Sequence, residues 1–512
     1  MISADDDDDD VRRLGDVTAS ALEYLRKESI DVYNRLHSIA EDARFVEYVH
    51  SVYPTLPILP NLRCGAWYTN PSIATPTPAY FKSTDGHFSN WSFNLRRANL
   101  HLLPLIVSHH GLILVDSTRT GKRIPDALSK TVPIWCAVIN RAVARRFPSD
   151  LLTHGDNTNT NTNTWDGDLY TPPGAVSVQE HDQIAQRIDG WADALFNSSF
   201  SLPHLPAPLR PLWITPATTA FPSLPSPPTA TTDQTFLPII CVSASKQSTE
   251  RRAEGYAYVQ GSGDDHELWS MGLTPQHFWT HTPVLLTASR TDLPGLIQHL
   301  VSPNPHQHPH PHQHPHQYGK KPPTPIDKVG GRVMICALRD VVDGDGDEDG
   351  DVVYIIIEER ESSDEVPNPN PNPKTLHLTL PPGKRGQTLF LTHVLPAAVA
   401  FARVHLGGGG GGAGEGEGDM GSGMGQGRKI CIACEEGRDV GVGVALVLLW
   451  VFFDGGGDAR SLEAPPPDKK SLRTRLEWII ESRVEANPSR TTLKRVNEYL
   501  MTPGVYVGGR TV

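Results

Sequence analysis

The chain has 512 residues with 46 Lys plus Arg against 58 Asp plus Glu, a formal net charge of -12. That length excludes a single small domain and predicts a soluble protein of two domains, because one hydrophobic core stops growing well below this size. Two acidic tracts, at 5–10 and 343–351, hold 12 of the acids, and the rest of the chain carries 46, equal to its 46 basic residues. The net charge therefore does not exclude an anionic partner.

The cysteines and the hydropathy of the chain indicate its cellular compartment and whether it crosses a membrane. Six scattered Cys without a signal-peptide pattern before them are typical of a reducing compartment, so we expect a cytoplasmic protein without structural disulfides. The longest apolar run, Val442–Phe453, is too short to cross a bilayer and predicts a buried helix. The acidic N-terminus is unlike a mitochondrial presequence. We expect neither a membrane nor DNA as a partner.

The N-terminal domain is predicted over residues 16–302, and it begins with a helix. Apolar residues recur there at roughly helical spacing, with charged residues between them. These apolar residues are Leu22, Leu25, Ile30, Val32, Leu36 and Ile39.

Aromatic and basic residues are mixed at 64–97. Aromatic faces stack on bases or pack on sugars, and Lys and Arg pair with phosphate oxygens, so this mixture favours a nucleic acid or a nucleotide-like ligand. Each aromatic taken alone, Trp67 and Trp91 included, is more typical of core packing. The candidate substrate-binding residues of this region are Lys82, Ser83, Thr84, Asp85, His87, Arg96 and Arg97.

A short apolar run, Leu112–Val115, is typical of a strand and leads into a polar turn at 116–123. Such a turn, with Gly, hydroxyls and cations, offers backbone N–H groups and positive charge to a phosphate. It resembles the loop by which many phosphoribosyltransferases hold a ribose 5-phosphate, although that loop usually has two acids where this one has a single Asp. An ordinary polar turn fits equally well. The candidate residues are Asp116, Ser117, Thr118, Arg119, Gly121, Lys122 and Arg123.

Four consecutive ionisable residues, Asp264, Asp265, His266 and Glu267, lie in a Gly-containing turn. Two adjacent carboxylates repel one another, and a divalent cation that prefers oxygen ligands, such as Mg²⁺, relieves this repulsion. We therefore predict that Asp264 and Asp265 bind Mg²⁺ and that the four residues are catalytic. A solvated acidic loop is the alternative, and the residues leave it open.

Segments of low complexity predict surface loops at 157–164, 216–228, 368–372 and 407–418. Six His alternate with Gln or Pro over His306–His316, a composition that can bind transition metals. Neighbouring Pro and Gln supply no rigid scaffold, so a flexible linker is favoured over a specific metal site. We place this linker at 303–329, between the two domains.

The C-terminal domain is predicted over 330–512. A strand candidate at Lys429–Ala433 leads into a turn that resembles the phosphate loop of dual-specificity phosphatases, in which a Cys opens a turn of N–H groups at a helix start. That pattern has an Arg six residues after the Cys and usually a His before it, where this chain has Val440 and Ala433. We therefore expect a degenerate loop that binds a phosphate or only helps the domain to fold. Its residues are Cys434, Gly437, Arg438, Asp439 and Gly441.

Six motifs follow one another along the chain, at 63–68, 80–87, 91–97, 116–119, 121–136 and 258–267. Together, and in this order, they resemble the initiator tRNA phosphoribosyltransferases over nearly the whole chain outside the low-complexity segments. The resemblance implies transfer of a ribosyl phosphate from 5-phosphoribosyl 1-pyrophosphate to a ribose 2′-hydroxyl in the T stem of initiator methionyl tRNA, which keeps that tRNA out of elongation. We predict a mixed α/β fold of two domains, the second resembling a dual-specificity phosphatase.

That reaction sets requirements for the site. Departure of pyrophosphate builds negative charge on the leaving group, so a metal and cations should surround it. The incoming 2′-hydroxyl needs a general base, for which His266 or one of the carboxylates Asp264, Asp265 and Glu267 is the candidate. Two rival functions are a non-catalytic tRNA-binding protein and a phosphatase-like enzyme that uses Cys434.

Overall fold

The chain folds as two compact units, residues 1–197 with 202–308 and residues 198–201 with 309–512. The predicted mixed α/β fold of two domains is confirmed. The structure is a computed structural model, and it describes residues 23, 26–62, 64–148, 165–225, 235–247, 252–253, 255–302, 320–341, 352–360, 374–406, 428–460 and 468–502.

Four parallel strands form the central sheet of the first unit, in the spatial order β1-β2-β4-β3. Every residue of β2 and β4 is buried, as in parallel sheets that helices cover on both faces. A short antiparallel pair, β5 and β6, precedes residues 258–267, which hold Asp264, Asp265, His266 and Glu267 and are called the acidic turn below. The strands are β1 Ile58–Pro60, β2 Leu112–Asp116, β3 Leu209–Ile214, β4 Leu237–Ser243, β5 Arg252–Ala253 and β6 Tyr256–Ala257.

Helices cover both faces of this sheet. Asp31 caps the first helix by accepting a hydrogen bond from the backbone N–H of Asn34, which explains why the helix begins there. The described residues 26–30 just before it are also helical, in line with the predicted periodicity. The helices of the first unit are α1 Val32–Val52, α2 Gly65–Tyr68, α3 Leu102–His109, α4 Val132–Arg146, α5 Val178–Phe196, α6 Pro275–Thr287 and α7 Leu293–Val301.

Connections from β1 and β2 leave toward opposite faces of the sheet. Trp67, after β1, belongs to the same core cluster as α1 and the side chain of Ile240. Cys136 of α4 lies beside Cys241. The side chains of Cys241 and Ile240 lie on opposite faces of the sheet, because successive side chains of a strand alternate. Carboxyl ends of adjacent strands whose connections diverge in this way form the usual ligand crevice of open parallel sheets.

The second unit has a five-stranded sheet in the order β10-β9-β11-β8-β7, in which β7 is an antiparallel edge strand. Residues 320–329, which the sequence assigned to the linker, differ from that expectation, because Thr324 and Pro325 pair with β8 and residues 327–329 form a helical turn. Pro is tolerated there since β7 is an edge strand. The strands are β7 Thr324–Pro325, β8 Val333–Ala337, β9 Val352–Glu359, β10 Thr375–Leu380 and β11 Lys429–Cys434.

Residues 442–452 of the apolar run lie in the helix Val440–Phe452 of the second unit. Residues 441–450 of this helix are buried, which confirms the prediction of a buried helix. The helical segment Gly383–Leu406 has the length and apolar composition to cross a membrane. Helices in the core of a protein can have the same length and composition. Phe390 of that segment packs near Gly443, so we interpret it as a core helix. The helices are α8 Gly383–Leu406, α9 Val440–Phe452, α10 Lys469–Ser482 and α11 Arg490–Met501.

Several predicted features lie outside the described residues. These are the acidic tracts at 5–10 and 343–351, the loops at 157–164, 368–372 and 407–418, the His-rich segment His306–His316, and residues 226–228 of the loop at 216–228.

Candidate active site

The acidic turn and the polar turn after β2 meet at the carboxyl edge of the first sheet. Gly261 has a φ of +69°, and a Cβ at this position would stand 2.6 Å from the backbone carbon and oxygen of Thr118. The side-chain amide of Gln260 donates to the carbonyl oxygen of Lys122 at 2.7 Å. Only Gly permits both this backbone conformation and this approach. Two segments that the sequence separates by about 140 residues therefore form one site.

A buried chain of hydrogen bonds lies beneath this contact. The hydroxyls of Ser117 and Ser245 are 2.6 Å apart, and Ser245 donates to a carboxylate oxygen of Asp42 at 2.5 Å. Tyr258 donates to the other oxygen of Asp42 at 2.8 Å, and the backbone N–H of Gly261 donates to the hydroxyl of Ser245 at 3.1 Å. This network joins α1, the ends of β2 and β4, and the start of the acidic turn.

Asp42 is a functional candidate that the sequence analysis missed. Its side chain is buried, and burial raises its pKa well above the ordinary value, although hydrogen bonds from Ser245 and Tyr258 act in the opposite direction. Burial thus favours the protonated form of this side chain more than water would. A single Asp within a long helix gives no signal of such a role in the sequence.

Asp116, at the end of β2, is also fully buried. One carboxylate oxygen accepts from the side-chain amide of Asn61 at 2.9 Å, and the other accepts from the thiol of Cys64 and the backbone N–H of Ser117, each at 2.9 Å. Both oxygens are thus occupied by protein donors. A role of Asp116, or of the equally buried Ser117, in substrate binding would be indirect, through the position of the loop that follows.

The acidic turn is fixed by contacts to its backbone. Arg35 donates to the carbonyl oxygens of Ser262 at 2.9 Å and Asp264 at 3.3 Å, and the backbone N–H of Gly263 donates to the hydroxyl of Tyr68 at 2.7 Å. Asp265 has a φ of +48°, an uncommon conformation for a residue with a Cβ.

The four ionisable side chains of this turn differ in exposure. Asp265 and Glu267 are exposed, whereas Asp264 and His266 are partly buried. The His266 ring lies 6.0 Å from the Trp67 ring, centroid to centroid. In the described part of the chain, no group of three or more His, Cys, Asp and Glu could hold a metal ion. Any Mg²⁺ held by Asp264 and Asp265 would therefore need its other ligands from substrate and water, which is common for Mg²⁺.

The cations of the β2 turn are exposed at the same edge. Arg119, Lys122 and Arg123 are all exposed, as are Thr120 and Gly121, while Thr118 is buried against the acidic turn. Exposed cations beside a Gly-containing turn can bind the oxygens of a phosphate group.

Asp126 links these cations to the interior. Its carboxylate accepts from Lys122 at 2.5 Å and from the buried Lys130 at 3.0 Å, and the Nε2 of His87 lies 3.8 Å away. Burial alone would raise the pKa of Asp126, but the hydrogen bonds from Lys122 and Lys130 outweigh it, and the pKa is lowered. Asp126 therefore stays ionised and holds Lys122 at the mouth of the turn.

The segment at 83–87 reaches the same edge. A Cβ at Gly86 would stand 2.7 Å from the carbonyl oxygen of Asp126, so the segment approaches this loop closely. Asp85 is paired with Arg97 at 2.8 Å, and these side chains are only 13% and 10% exposed. The Arg97–Asp85 pair therefore joins two short helical turns. Thr84 and His87 are exposed, and Lys82, Ser83 and Arg96 are half-buried.

Aromatic residues of this region serve mainly as core. Trp67 and Trp91 are 1% and 3% exposed, which confirms that each packs in the interior. The Trp91 indole N–H donates to Glu180, which also accepts from Lys130, both at 3.0 Å. The exposed surface of this edge is thus mostly cationic and polar rather than aromatic.

The degenerate loop of the second unit also follows a parallel strand. Cys434 is buried, and this burial raises its pKa, so the thiol form is favoured. The backbone N–H of Gly441 donates to the Cys434 sulfur at 3.2 Å. A neutral thiol is a poor nucleophile, which argues against phosphatase chemistry.

Arg483, from the end of α10, holds the backbone of this loop. Its guanidinium donates to the carbonyl oxygens of Gly437 at 2.8 Å and Glu436 at 3.3 Å. Asp439 accepts from the backbone N–H of Ser489 at 2.8 Å, and Arg438 pairs with Glu436 at 3.0 Å on the surface. These contacts are structural, and whether the loop also binds a phosphate stays a prediction.

Comparison with known families places both units. Residues 25–302 match the family described as the Rit1 N-terminal domain, and residues 374–500 match the Rit1 DUSP-like domain. In structure comparison, the chain is similar to a human DUSP28 variant with a TM-score of 0.23 and 13% identity, over 35% of this chain and 95% of that one.

Two curated relatives match as well. An uncharacterized protein of Schizosaccharomyces pombe is 42% identical over 293 residues, which is 55% of this chain and 59% of the relative. The tRNA A64-2′-O-ribosylphosphate transferase of Saccharomyces cerevisiae is 38% identical over 291 residues, 52% of this chain and 53% of that protein. The matched region thus spans little more than half the length of these relatives. Because the first match alone covers more than half of the chain, this protein belongs to the Rit1 family.

Proposed function

We propose that this protein transfers the 5-phosphoribosyl group of 5-phosphoribosyl 1-pyrophosphate to a ribose 2′-hydroxyl in the T stem of initiator methionyl tRNA, in the cytoplasm. The bond between the anomeric carbon and pyrophosphate breaks, a bond to the 2′-oxygen forms, and the proton of the hydroxyl passes to a base. The name of the yeast relative, a tRNA ribosylphosphate transferase, supports this class of reaction.

One observation carries the proposal, namely the close approach of Gly261 to Thr118. It brings the acidic turn, a source of metal ligands and a base, next to the exposed cations Arg119, Lys122 and Arg123. A glycosyl transfer that releases pyrophosphate needs these two kinds of group side by side. The crevice between diverging connections of a parallel sheet is also where such ligands usually bind.

We assign Asp264 and Asp265 to a Mg²⁺ ion that would neutralise charge on the departing pyrophosphate. The two carboxylates would supply only part of a Mg²⁺ coordination sphere, and the remaining ligands would have to come from the donor and water. The exposed carboxylate of Asp265, on a backbone held by Arg35, can meet a ligand without a change of fold.

His266 is the preferred general base among the four residues of the acidic turn. Its ring lies 6.0 Å from the Trp67 ring, centroid to centroid, which restricts its orientation, and a neutral imidazole nitrogen can accept a proton. Glu267 is exposed and is the next candidate. A base in this position would take the proton of the 2′-hydroxyl while the exposed cations bind the phosphates of the donor or of the tRNA.

The test is incubation with 5-phosphoribosyl 1-pyrophosphate labelled in its ribose, Mg²⁺ and initiator tRNA, with elongator methionyl tRNA as the matched control. We expect label in the initiator tRNA and little in the elongator. Binding of initiator tRNA without any transfer would support the rival, a non-catalytic tRNA-binding protein. Equal labelling of the two tRNAs would retain the reaction and refute the initiator specificity.

The phosphatase alternative has a direct test of its own. The buried, neutral thiol of Cys434 and the Val at position 440 predict no hydrolysis of an aryl phosphate. Hydrolysis that disappears in Cys434→Ser would establish that activity.

A further inference from the structure

A cavity of about 510 Å³ opens in the first unit on a side of α1 away from Asp42. Its volume lies within the usual range for small-molecule sites, about 300 to 1,000 Å³. None of the residues predicted from the sequence to bind substrate lines it. The lining includes His37, Arg44, Glu47, Asn70, Tyr256 and Trp279.

One wall of the cavity is aromatic. The rings of His37 and Tyr256 are stacked with their centroids 5.2 Å apart, and Tyr33 meets His37 edge-on at 4.2 Å. Phe278 and Trp279 form a second pair of rings at 5.1 Å, and the Trp279 indole N–H is held by the carbonyl oxygen of Ala66 at 2.9 Å. These rings are fixed in place, and fixed rings favour a planar aromatic ligand.

Polar groups are placed around these rings. Among the residues that the structure describes, no group forms a hydrogen bond with the buried Nε2 atom of His37, although buried polar atoms are normally paired. Burial lowers the pKa of His37, so the neutral ring is favoured and adds no charge to the aromatic wall. Asn70 and Glu47 also line the cavity, and the side-chain amide of Asn70 donates to the carboxylate of Glu47 at 3.0 Å, which holds these two polar side chains in place.

Arg44 supplies positive charge at the cavity. It is exposed, and within the described ranges its guanidinium makes no ion pair within 4.0 Å. A cation beside an aromatic wall matches a base joined to a phosphate. The same cavity suits 5-phosphoribosyl 1-pyrophosphate poorly, because that donor has no aromatic ring and carries many negative charges that Glu47 would repel.

We propose that this cavity binds an unpaired nucleobase of the tRNA substrate, stacked on its aromatic wall, with Arg44 on a neighbouring phosphate. The inference rests on the proposed function and extends it to a second RNA contact outside the reacting edge. Helix α1 connects the two, because Ser38 and Asp42 face the acidic turn while His37, Ala40 and Arg44 face the cavity.

Ala40→Phe tests the proposal by filling the cavity. We expect it to raise the KM for initiator tRNA by roughly 5- to 100-fold, the range that corresponds to loss of one stacked base, with little change in the KM for 5-phosphoribosyl 1-pyrophosphate. Ala194→Phe, on the exposed side of α5, is the matched control and should leave both constants unchanged. An unchanged tRNA KM in an Ala40→Phe protein with the parent's Tm would overturn the proposal.

Arg44→Ala provides a variant that does not alter the core. It should reduce the slope of log K for tRNA binding against log salt by about one unit, while Arg26→Ala, an exposed cation on the preceding residues, should not. An unchanged slope would contradict the phosphate contact. If Ala40→Phe fails to fold, this slope decides the question.

Adenosine 5′-monophosphate distinguishes a base within RNA from a free nucleotide. Competition with tRNA, abolished in Ala40→Phe, supports the proposal. Binding without competition overturns it in favour of a free nucleotide. These outcomes are separate from those of the proposed function. If the parent protein binds tRNA but transfers nothing, and Ala40→Phe weakens that binding, the cavity proposal is retained and the reaction is refuted. If the parent protein transfers and Ala40→Phe leaves the tRNA KM unchanged, the reaction is retained and the cavity proposal is refuted.

Discussion

Two loops of this protein occupy the same topological position, at the carboxyl end of a parallel strand and before a long helix. The loop after β2 presents Arg119, Lys122 and Arg123 to solvent. The loop after β11 turns inward, where its Cys434 is buried and its carbonyl oxygens accept from Arg483. A strand-turn-helix arrangement therefore gives a loop the position of a possible site, but it does not give the loop a ligand-binding surface.

The difference lies in what surrounds each loop. Gly261 brings the acidic turn against the first loop and so adds carboxylates and an imidazole to its cations. At the second loop, Glu435 is exposed and Glu436 pairs with Arg438, so acids lie where an incoming phosphate would bind. The groups available to a ligand therefore depend on the second segment packed against a loop more than on the loop itself.

The largest effect is expected from Asp265→Asn. If Asp265 holds Mg²⁺, loss of its charge should lower kcat for transfer by about 100-fold or more, because an electrostatic contact to the developing charge is removed. Affinity for tRNA should stay close to the parent's. Asp182→Asn, an exposed acid of α5, is the control for a change of net charge. Undiminished turnover would refute a metal role for Asp265.

A matched pair of substitutions tests the comparison itself. Gly261→Ala and Gly437→Ala each place a Cβ at a φ near +69° or +66° and 2.6 Å from a backbone atom. Both should lower the Tm, since Ala costs about 1 to 2 kcal/mol in that conformation before any clash. Only Gly261→Ala should also lower transfer, by about 10-fold, when measured where both proteins are folded. Equal losses of transfer would contradict the division of roles.

The buried acid Asp42 gives a pH-dependent effect on stability. Its pKa is raised on folding, so the folded state binds the proton more tightly, and the resulting stabilisation, complete below about pH 4, is lost as pH rises toward the folded pKa. Asp42→Asn removes this dependence, while the neighbouring side chains of Glu41, Lys246 and Tyr258 are the same in both proteins. Urea unfolding should be measured from pH 4.5 to 8. The free energy of unfolding should change less with pH in the variant, by up to about 1.4 kcal/mol per pH unit. Parallel curves would show that Asp42 is ionised in the folded protein.

The smallest effect is expected from Cys434→Ser. The thiol is buried and neutral, so no attack by a thiolate is proposed, and transfer should stay within about 3-fold of the parent. The measurement is kcat/KM for labelled transfer at a temperature well below the Tm of the variant. A folded variant without transfer would mean that the second loop contributes directly to the reaction.

Much of the fold follows from local patterns. The apolar run at 442–453 predicted a buried helix, and the run Leu112–Val115 predicted a strand, because continuous apolar residues of those lengths can only be buried. The four residues of the acidic turn are consecutive, so their proximity needed no knowledge of the fold.

Contacts between distant segments were not predictable in this way. Arg97 looks like a phosphate ligand in the sequence, yet it pairs with Asp85 between two short turns. Asp42 lies in a helix and Ser245 follows a strand, and their hydrogen bond depends on how the sheet brings these two segments together. The aromatic cavity draws its residues from α1, β6 and α6, and no local spacing indicates that combination.

The hydrogen bond between Ser245 and Asp42 spans 203 residues of sequence. During synthesis at about 5 to 20 residues per second, Ser245 is therefore added to the chain roughly 10 to 40 s after Asp42. Until then Asp42 is in water with its ordinary pKa, so completion of the first unit should increase its affinity for a proton. The hydrogen-bond network around Asp42 and Ser245 is thus expected to form late in folding, and acid conditions should favour it over partly folded chains.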